Sequence, residues 1–209
     1  MKISYAITVC NELNEIQRLV KFLLDHKRSQ DEIVILFDEV NGYSEVENFL
    51  RTHSQNGEFL WYKEKFNKHF AEWKNYLTSL CSGDYIFNID ADEIPHTTII
   101  ESIPEILETN SNIDAFAIAR VNTVDGLTEE HIAKWGWRVN SDGWVNWPDY
   151  QWRIYRNNDK VRWKNQVHEV LEGYTTYTQL PMEEDYSLYH PKTIERQEKQ
   201  NNYYDNLHI

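Results

Sequence analysis

The stretch from Tyr85 to Pro95, YIFNIDADEIP, runs largely apolar through Ile89 and then sets three carboxylates in four positions: Asp90, Asp92 and Glu93. Like charges this close repel one another, so either a cation sits among them or they face water. The apolar run reads as a strand. Before it, HFAEWKNYLTSLCSG is helical, with Phe70, Trp73, Leu77 and Leu80 on one side and Gly83 as the stop. After it, TTIIESIPEILETN is a helix interrupted or kinked near Pro104.

The same alternation extends upstream. ISYAITVC (Ile3–Cys10) is a short strand, and the segment after it repeats Ile16, Leu19, Val20, Leu23 and Leu24 at helical spacing, with Asn11 or Asn14 available as N-cap. EIVILFDEV is apolar almost throughout, as suits a strand buried on both faces. SEVENFLRTH is a short helix and GEFLWYKE a third strand. Four strands alternating with helices predict right-handed crossovers and a three-layer α/β/α fold with a mostly parallel central sheet. Ligands of such sheets bind beyond the carboxyl ends of the strands, which puts Asn11–Glu12, Asp38–Glu39 and Asp90–Asp92 on one rim.

The second half reads differently. IDAFAIARVNTV is a further strand, followed by a long, poorly periodic loop through residue 151. WRIYRNNDKVRW reads as two short strands around an Asn-Asn-Asp turn. QVHEVLEGY and YSLYH follow, and residues 192–208 close the sequence as a polar helix. This part is expected to be smaller, antiparallel and loop-rich. Without an internal repeat or flexible linker, the chain is read as a single unit, 1–110 forming one half and 111–209 the other.

The chain has 209 residues, 41% of them hydrophobic, and a formal net charge of −13. That acidity argues against nucleic acid as a partner, and any phosphate-bearing ligand needs a local cation, a metal or a few placed Lys and Arg. Cys10 and Cys81 form no disulfide framework, which favours a reducing compartment. No stretch approaches the roughly 20 apolar residues of a membrane span. The expectation is a cytoplasmic protein without a transmembrane segment, peripheral membrane contact staying open.

Asp90 and Asp92 alternate along an extended chain, so both leave the strand end on one side and can share one hard divalent ion, or split their work between an ion and a ribose hydroxyl. The bland alternative is a solvated strand end with Asp92 capping the next helix. Five of the eight tryptophans fall between Trp135 and Trp152. Trp135, Trp137, Trp144 and Trp147 suit stacking on the flat faces of acceptor sugars, or ordinary packing; Trp73 and Trp163 are expected in the core.

ITVCNE, VILFDE, WKNYLTSLCSGDYIFNIDADE and WRIYRNNDKVRWKNQVHEVLEGY together resemble the nucleotide-sugar glycosyltransferases of the GT-A fold, closest to the inverting family-2-like enzymes that include lipopolysaccharide-core-type sugar transferases. The likeness covers most of the chain in the expected order; the Trp-rich loop has no clear counterpart. It implies an inverting transferase acting on a nucleotide-diphosphate sugar, a UDP-sugar for preference, with a carbohydrate or glycolipid acceptor and Mn²⁺ or Mg²⁺ as cofactor. It makes 1–110 the nucleotide-binding half and 111–209 the acceptor-binding half.

Carried over residue by residue, the resemblance puts Thr8, Asn11, Glu12 and Asp38 around the nucleoside, with a helix N-terminus and a turn as the structural alternatives. Lys74–Asn75 stands where such enzymes have an Arg/Lys-Asn pair, Lys74 approaching base or diphosphate. Asp92 is the expected direct metal ligand, Asp90 bridges ribose and metal, and Glu93 faces acceptor or solvent. His190 stands where a late His approaches metal and diphosphate. An inverting transfer needs a general base, for which Glu169 is the choice. His168 is then a core histidine, or the two roles reverse. Arg153 and Arg156 are read as sharing a strand face and neutralising the diphosphate, surface ion pairing being the alternative.

Two other classes compete. A sugar-phosphate nucleotidyltransferase normally has a Gly-rich phosphate loop after its first strand, and VCNELNE contains no Gly. A non-catalytic carbohydrate-binding module keeps the tryptophans but has no use for Asp38.

Overall fold

The computed structural model describes the backbone of residues 1–206 and the side chains through Asn202. The N-terminal elements are β1 (Ile3–Val9), α1 (Leu13–His26), β2 (Glu32–Asp38), α2 (Ser44–Ser54), β3 (Leu60–Glu64), α3 (Phe70–Ser79) and β4 (Tyr85–Asp90). Then come β5 (Ile94–Pro95), α4 (Thr97–Thr109), β6 (Ala115–Asp125) and α5 (Glu129–Trp135). The C-terminal part holds β7 (Gln151–Arg156), β8 (Arg162–Lys164), β9 (Val170–Glu172), β10 (Tyr177–Gln179), β11 (Ser187–Thr193) and α6 (Ile194–Asn206).

The main sheet has the order β3-β2-β1-β4-β7-β6-β11-β5, with β10 also on β6. Strands β3, β2, β1 and β4 run parallel, as the alternating sequence predicts. Strand β7 then enters antiparallel between β4 and β6. Because side chains alternate across a strand, Ile3, Tyr5, Ile7 and Val9 of β1 join Ile35, Phe37, Phe87 and Ile89 in the core under α1 and α4. Ala6, Val34, Leu36 and Ile86 point the other way, to Ala71, Trp73 and Leu77 of α3. On α1, Ile16, Leu19, Val20 and Leu23 are all buried. Each such side chain contributes about 1.5–3 kcal/mol on leaving water.

Several local expectations are corrected. WRIYRNNDKVRW holds the two short strands expected, but they do not pair with each other: β7 joins the main sheet, whereas β8 pairs with β9 in a separate two-stranded ribbon. The region read as a structureless loop contains α5, nucleated by a capping box between Thr128 and His131 and ended by Gly136 in the left-handed conformation. Pro104 lies inside α4 without splitting it. QVHEVLEGY is strand only over Val170–Glu172, and the helix expected over 192–208 starts at Ile194, because Lys192 and Thr193 belong to β11. Residues 207 and 208 of that expectation lie outside the described part. Asp92 caps no helix; the His96 side chain accepts from Thr98 N at the start of α4.

The β8–β9 ribbon is bound to α3. Asn75 and Trp163 exchange two hydrogen bonds of 2.9 Å, side chain to backbone. The loop between the strands bonds Phe70 N through Gln166 O at 2.8 Å, and turns through left-handed Asn165 and His168. The ribbon then leaves β9 at Gly173, whose φ is +83° and whose missing Cβ would sit 1.9 Å from Lys160 O. No other residue fits there without moving backbone. Gly173→Ala is expected to lower the urea unfolding free energy by about 3 kcal/mol or more, since strain and clash add; an unchanged midpoint would show that the ribbon accommodates the methyl group.

Candidate active site

The turn after β4 folds Glu93 back beneath the strand. Glu93 N donates to Asp90 O (2.9 Å) while Asp90 N donates to a Glu93 carboxylate oxygen (3.2 Å). Glu93 is fully buried, contrary to its expected exposure to acceptor or solvent. Its charge is met by two guanidinium groups, Arg153 from β7 and Arg120 from β6. Arg153 also donates to Asp90 Oδ2 at 2.7 Å. Burial by itself would raise the Asp90 pKa, but the positive charges of Arg153 and Lys74 outweigh it and hold this carboxyl well below its ordinary range. Asp90 and Glu93 coexist because fixed arginines lie between and behind them.

Asp92 points the other way, toward β11 and α6. Its Oδ2 lies 3.3 Å from His190 Nε2 and 3.3 Å from an Arg196 guanidinium nitrogen. Here too burial pushes the pKa up, and the hydrogen bond and charge of His190, with Arg196, bring it down to about 2. Arg196, in the first turn of α6, also pairs with Glu12 (3.4 Å) and Glu15 (2.9 Å). One guanidinium thus bridges three carboxylates, two at the start of α1 and one after β4.

Across the opening stands Glu169, in the β8–β9 loop. Lys74, on α3 and only 7% exposed, reaches Glu169 Oε1 at 2.6 Å and lies 4.5 Å from the centre of the Trp163 ring. The same ammonium acts on Asp90, so the acid tip and the carboxylate opposite share one cation. His168 is exposed rather than a core residue, and its φ of +50° is the turn that lets His168 and Glu169 line the same cleft.

That cleft has a volume of about 1210 Å³ and lies at the carboxyl ends of β1 and β4. Thr8, Asn11, Glu12, Asp38, Lys74, Asp90, Asp92, Arg153, His168, Glu169 and His190 all border it, so the topology gathers most of the residues expected to act together. Some are already engaged. Glu12 accepts from Cys10 N (2.8 Å) and Asn11 N (3.0 Å); burial raises its pKa, and these bonds and Arg196 temper the rise. Asp38 accepts from Val40 N and Asn41 Nδ2, closing its own turn. Burial, then the nearby Glu12 and Asp38, push the Cys10 thiol up to about 12, away from the thiolate form that a nucleophile needs.

Other placements depart from the sequence reading. Arg153 and Arg156 are three residues apart on β7 and do not share a face: Arg153 lines the cleft and pairs with Asp90 and Glu93, whereas Arg156 pairs with Asp114 outside the cleft lining. Trp135, Trp137, Trp144 and Trp147 also lie outside it. Trp135 packs on Trp137 and His131, and Trp144 meets Trp147 edge to face. The aromatic lining consists instead of Tyr43, Phe66, Phe70, Trp73, Tyr150, Trp152 and Trp163. Trp73 and Trp163 are core residues as expected, and they border the cleft as well.

Arg120, Asn122, Asp149, Lys192 and Arg196 escaped the sequence reading. For Arg120 and Asn122 a signal existed: in AFAIARVNTV they are polar residues at alternate positions directly after the apolar run AFAIA.

Among the described residues no group of three or more His, Cys, Asp and Glu is arranged as a metal cage. Asp92 Oδ2 and His190 Nε2 nonetheless converge at 3.3 Å on the edge of the cleft, an oxygen and a nitrogen donor of the kind Mn²⁺ accepts. The pair fits a cation that takes its other ligands from a bound substrate and water.

The sequence model of the family described as Glycosyl transferase family 2 matches residues 4–179. The chain belongs to that family. Its members are sugar-transferring enzymes, and the match agrees with the α/β sheet and the acid-tipped β4. Among solved structures, S. aureus TarS 1–349 superposes with a TM-score of 0.59 at 11% identity, over 91% of this chain and 60% of that one. The TarS 1–349 complex with UDP-GlcNAc gives 0.57 at 10%, over 92% and 59%. A further S. aureus TarS structure gives 0.60 at 12%, over 91% and 37%. At these identities the likeness establishes the GT-A fold, and this chain spans about three fifths of TarS 1–349. No curated protein sequence matches it.

Removing Arg153 leaves Glu93 buried with less than its full countercharge. Arg153→Met is expected to lower stability by about 3–5 kcal/mol in urea titrations, and Arg153→Met with Glu93→Leu to recover much of the loss. A single variant as stable as the wild type would mean that Arg120 alone neutralises Glu93.

Proposed function

We propose that the chain is an inverting glycosyltransferase that moves a sugar from a nucleotide diphosphate, UDP for preference, to a hydroxyl of a carbohydrate or glycolipid. The observation that supports this most is the pairing of Lys74 with Glu169 across the cleft from Asp90 and Asp92. A general base must be held where the acceptor hydroxyl arrives, and the buried Lys74 ammonium at 2.6 Å fixes the Glu169 carboxylate at the cleft, facing the acidic tip of β4.

In this reading residues 1–110 hold the donor and 111–209 the acceptor, as one unit. Thr8, Asn11, Glu12 and Asp38 surround the nucleoside, and Asp90 receives the ribose. Lys192, Arg196 and Lys199, on the side of the cleft formed by β11 and α6, face the diphosphate. They supply the local positive charge that a −13 chain needs to hold it. Asp92 and His190 would hold Mn²⁺ or Mg²⁺, with Asp90 beside them. When bound, such an ion supplies Lewis-acid stabilisation of charge on the leaving diphosphate.

The acceptor lies on the aromatic wall of Trp152, Tyr150 and Trp163, its hydroxyl directed to Glu169. As the acceptor oxygen bonds to the anomeric carbon, its proton passes to a Glu169 carboxylate oxygen. The carbon–oxygen bond to the diphosphate breaks with its electron pair, releasing the nucleoside diphosphate. Attack from the face opposite the leaving group inverts the anomeric centre.

No described helix is long and apolar enough to cross a membrane. The free thiols Cys10 and Cys81 accord with a reducing compartment such as the cytoplasm.

A screen of UDP-, GDP- and dTDP-sugars for nucleotide release tests the reading. One donor should be turned over in the presence of Mn²⁺, with inverted product anomer by NMR. Glu169→Gln should cut kcat by about 10²–10⁴-fold with UDP affinity unchanged. Asp92→Asn should abolish metal-dependent turnover while leaving the melting curve cooperative. Full activity in either variant removes that residue from the mechanism.

A further inference from the structure

The tryptophans between α5 and β7 have no place in the cleft wall, yet the segment that carries them delivers the Asp149 side chain beside the site. It closes on β6 through Val145 N to Asn122 O (2.9 Å) and Arg120 N to Pro148 O (2.9 Å), and it turns sharply at Asn146 (φ +54°) and Asp149 (φ +37°). These turns bring the Asp149 carboxylate under β6. Arg120 donates to Asp149 Oδ2 and Gln151 Nε2 to Asp149 Oδ1, each at 2.9 Å, so the carboxylate is clamped on both oxygens.

Asp149 Oδ2 accepts in turn from Asn122 Nδ2 at 2.7 Å, and the same amide nitrogen reaches Val145 O at 3.3 Å. Both amide hydrogens of Asn122 therefore face acceptors, which fixes the orientation of the group: its oxygen, an acceptor only, must be the atom turned to the neighbouring strand. There it meets His190, the residue paired with Asn122 in the β6–β11 register, with His190 Nδ1 at 2.7 Å. An acceptor at that distance requires hydrogen on Nδ1. In the neutral ring Nε2 then holds the lone pair, and Nε2 is the atom that lies 3.3 Å from Asp92 Oδ2. With the ring protonated, Nε2–H donates to Asp92; with it neutral, Nε2 and the Asp92 carboxylate, which also meets Arg196, offer two ligand atoms to a divalent cation.

The geometry points to Asn122 and Asp149 as positioning residues: Asp149 orients the Asn122 amide, and the amide holds His190 in the Nδ1–H tautomer, leaving Nε2 open to a divalent cation shared with Asp92. The inference rests on the donor-site reading above and extends it to two residues that touch neither cation nor donor. It also assigns the Trp144–Trp147 pair a task, that of shaping the turn that carries Asp149. Outer partners of metal-binding histidines typically change metal affinity by 10–100-fold.

The test measures free Mn²⁺ by electron paramagnetic resonance while wild type, His190→Ala, Asn122→Leu and Asp149→Leu are titrated in the presence of UDP. In parallel, ¹⁵N-histidine NMR of the metal-free proteins reads the His190 tautomer. Asn122→Leu is expected to weaken Mn²⁺ binding about 10–100-fold and to move the His190 ring toward Nε2–H. Asp149→Leu should do the same more weakly, with cooperative thermal melting retained in both. Asn122→Asp keeps an oxygen facing Nδ1 and should preserve the Nδ1–H tautomer. Wild-type Mn²⁺ affinity and an unchanged tautomer in folded Asn122→Leu overturn the inference while a weakened His190→Ala leaves the donor-site reading standing. A wild type that binds no Mn²⁺, or a His190→Ala that binds it normally, overturns both.

Discussion

Arg153 lies buried between Asp90 and Glu93, and the rest of the site depends on that contact. A strand end with three acids in four positions is electrostatically untenable in a dry sheet edge unless positive charge is fixed beside it. Arg153 arrives on β7, the strand inserted antiparallel against β4, and Arg120 arrives on β6, the next strand over. The antiparallel insertion is therefore what makes the acidic tip possible. With Glu93 neutralised from behind and Asp90 from the side, Asp92 is left to face the cleft margin, His190 and Arg196.

The site is a set of charges placed in advance. Lys74 couples Glu169 to Asp90, Arg196 couples Asp92 to Glu12 and Glu15, and Arg120 couples Glu93 to Asp149. Each cation serves carboxylates from different elements, so the walls of the cleft are held to one another by ion pairs that a substrate can exchange for its own charges. Preorganised charge of this kind needs little rearrangement when negative charge grows on a leaving group.

Much of the N-terminal side of the cleft was legible in the sequence. The four parallel strands follow from apolar runs alternating with amphipathic helices, and the rim residues Asn11, Glu12, Asp38 and Asp90 then fall together by topology alone. The C-terminal side was less legible for a physical reason. Its pairings join residues far apart in the chain, Lys74 to Glu169 and Arg153 to Asp90, and no local pattern signals them. The tryptophans between Trp135 and Trp147 drew the reading toward sugar stacking because composition is visible and packing is not; in the structure they pack on one another and on His131. Arg196 sits in a helix so uniformly polar that nothing in its neighbourhood sets it apart.

The most direct test is a crystal structure of the chain with Mn²⁺ and a UDP-sugar. The account predicts an ion between Asp92 and His190, the diphosphate against Arg196 and Lys192, and the anomeric carbon facing Glu169. Ordered nucleotide bound elsewhere, or bound in this cleft with no cation near Asp92, would contradict it.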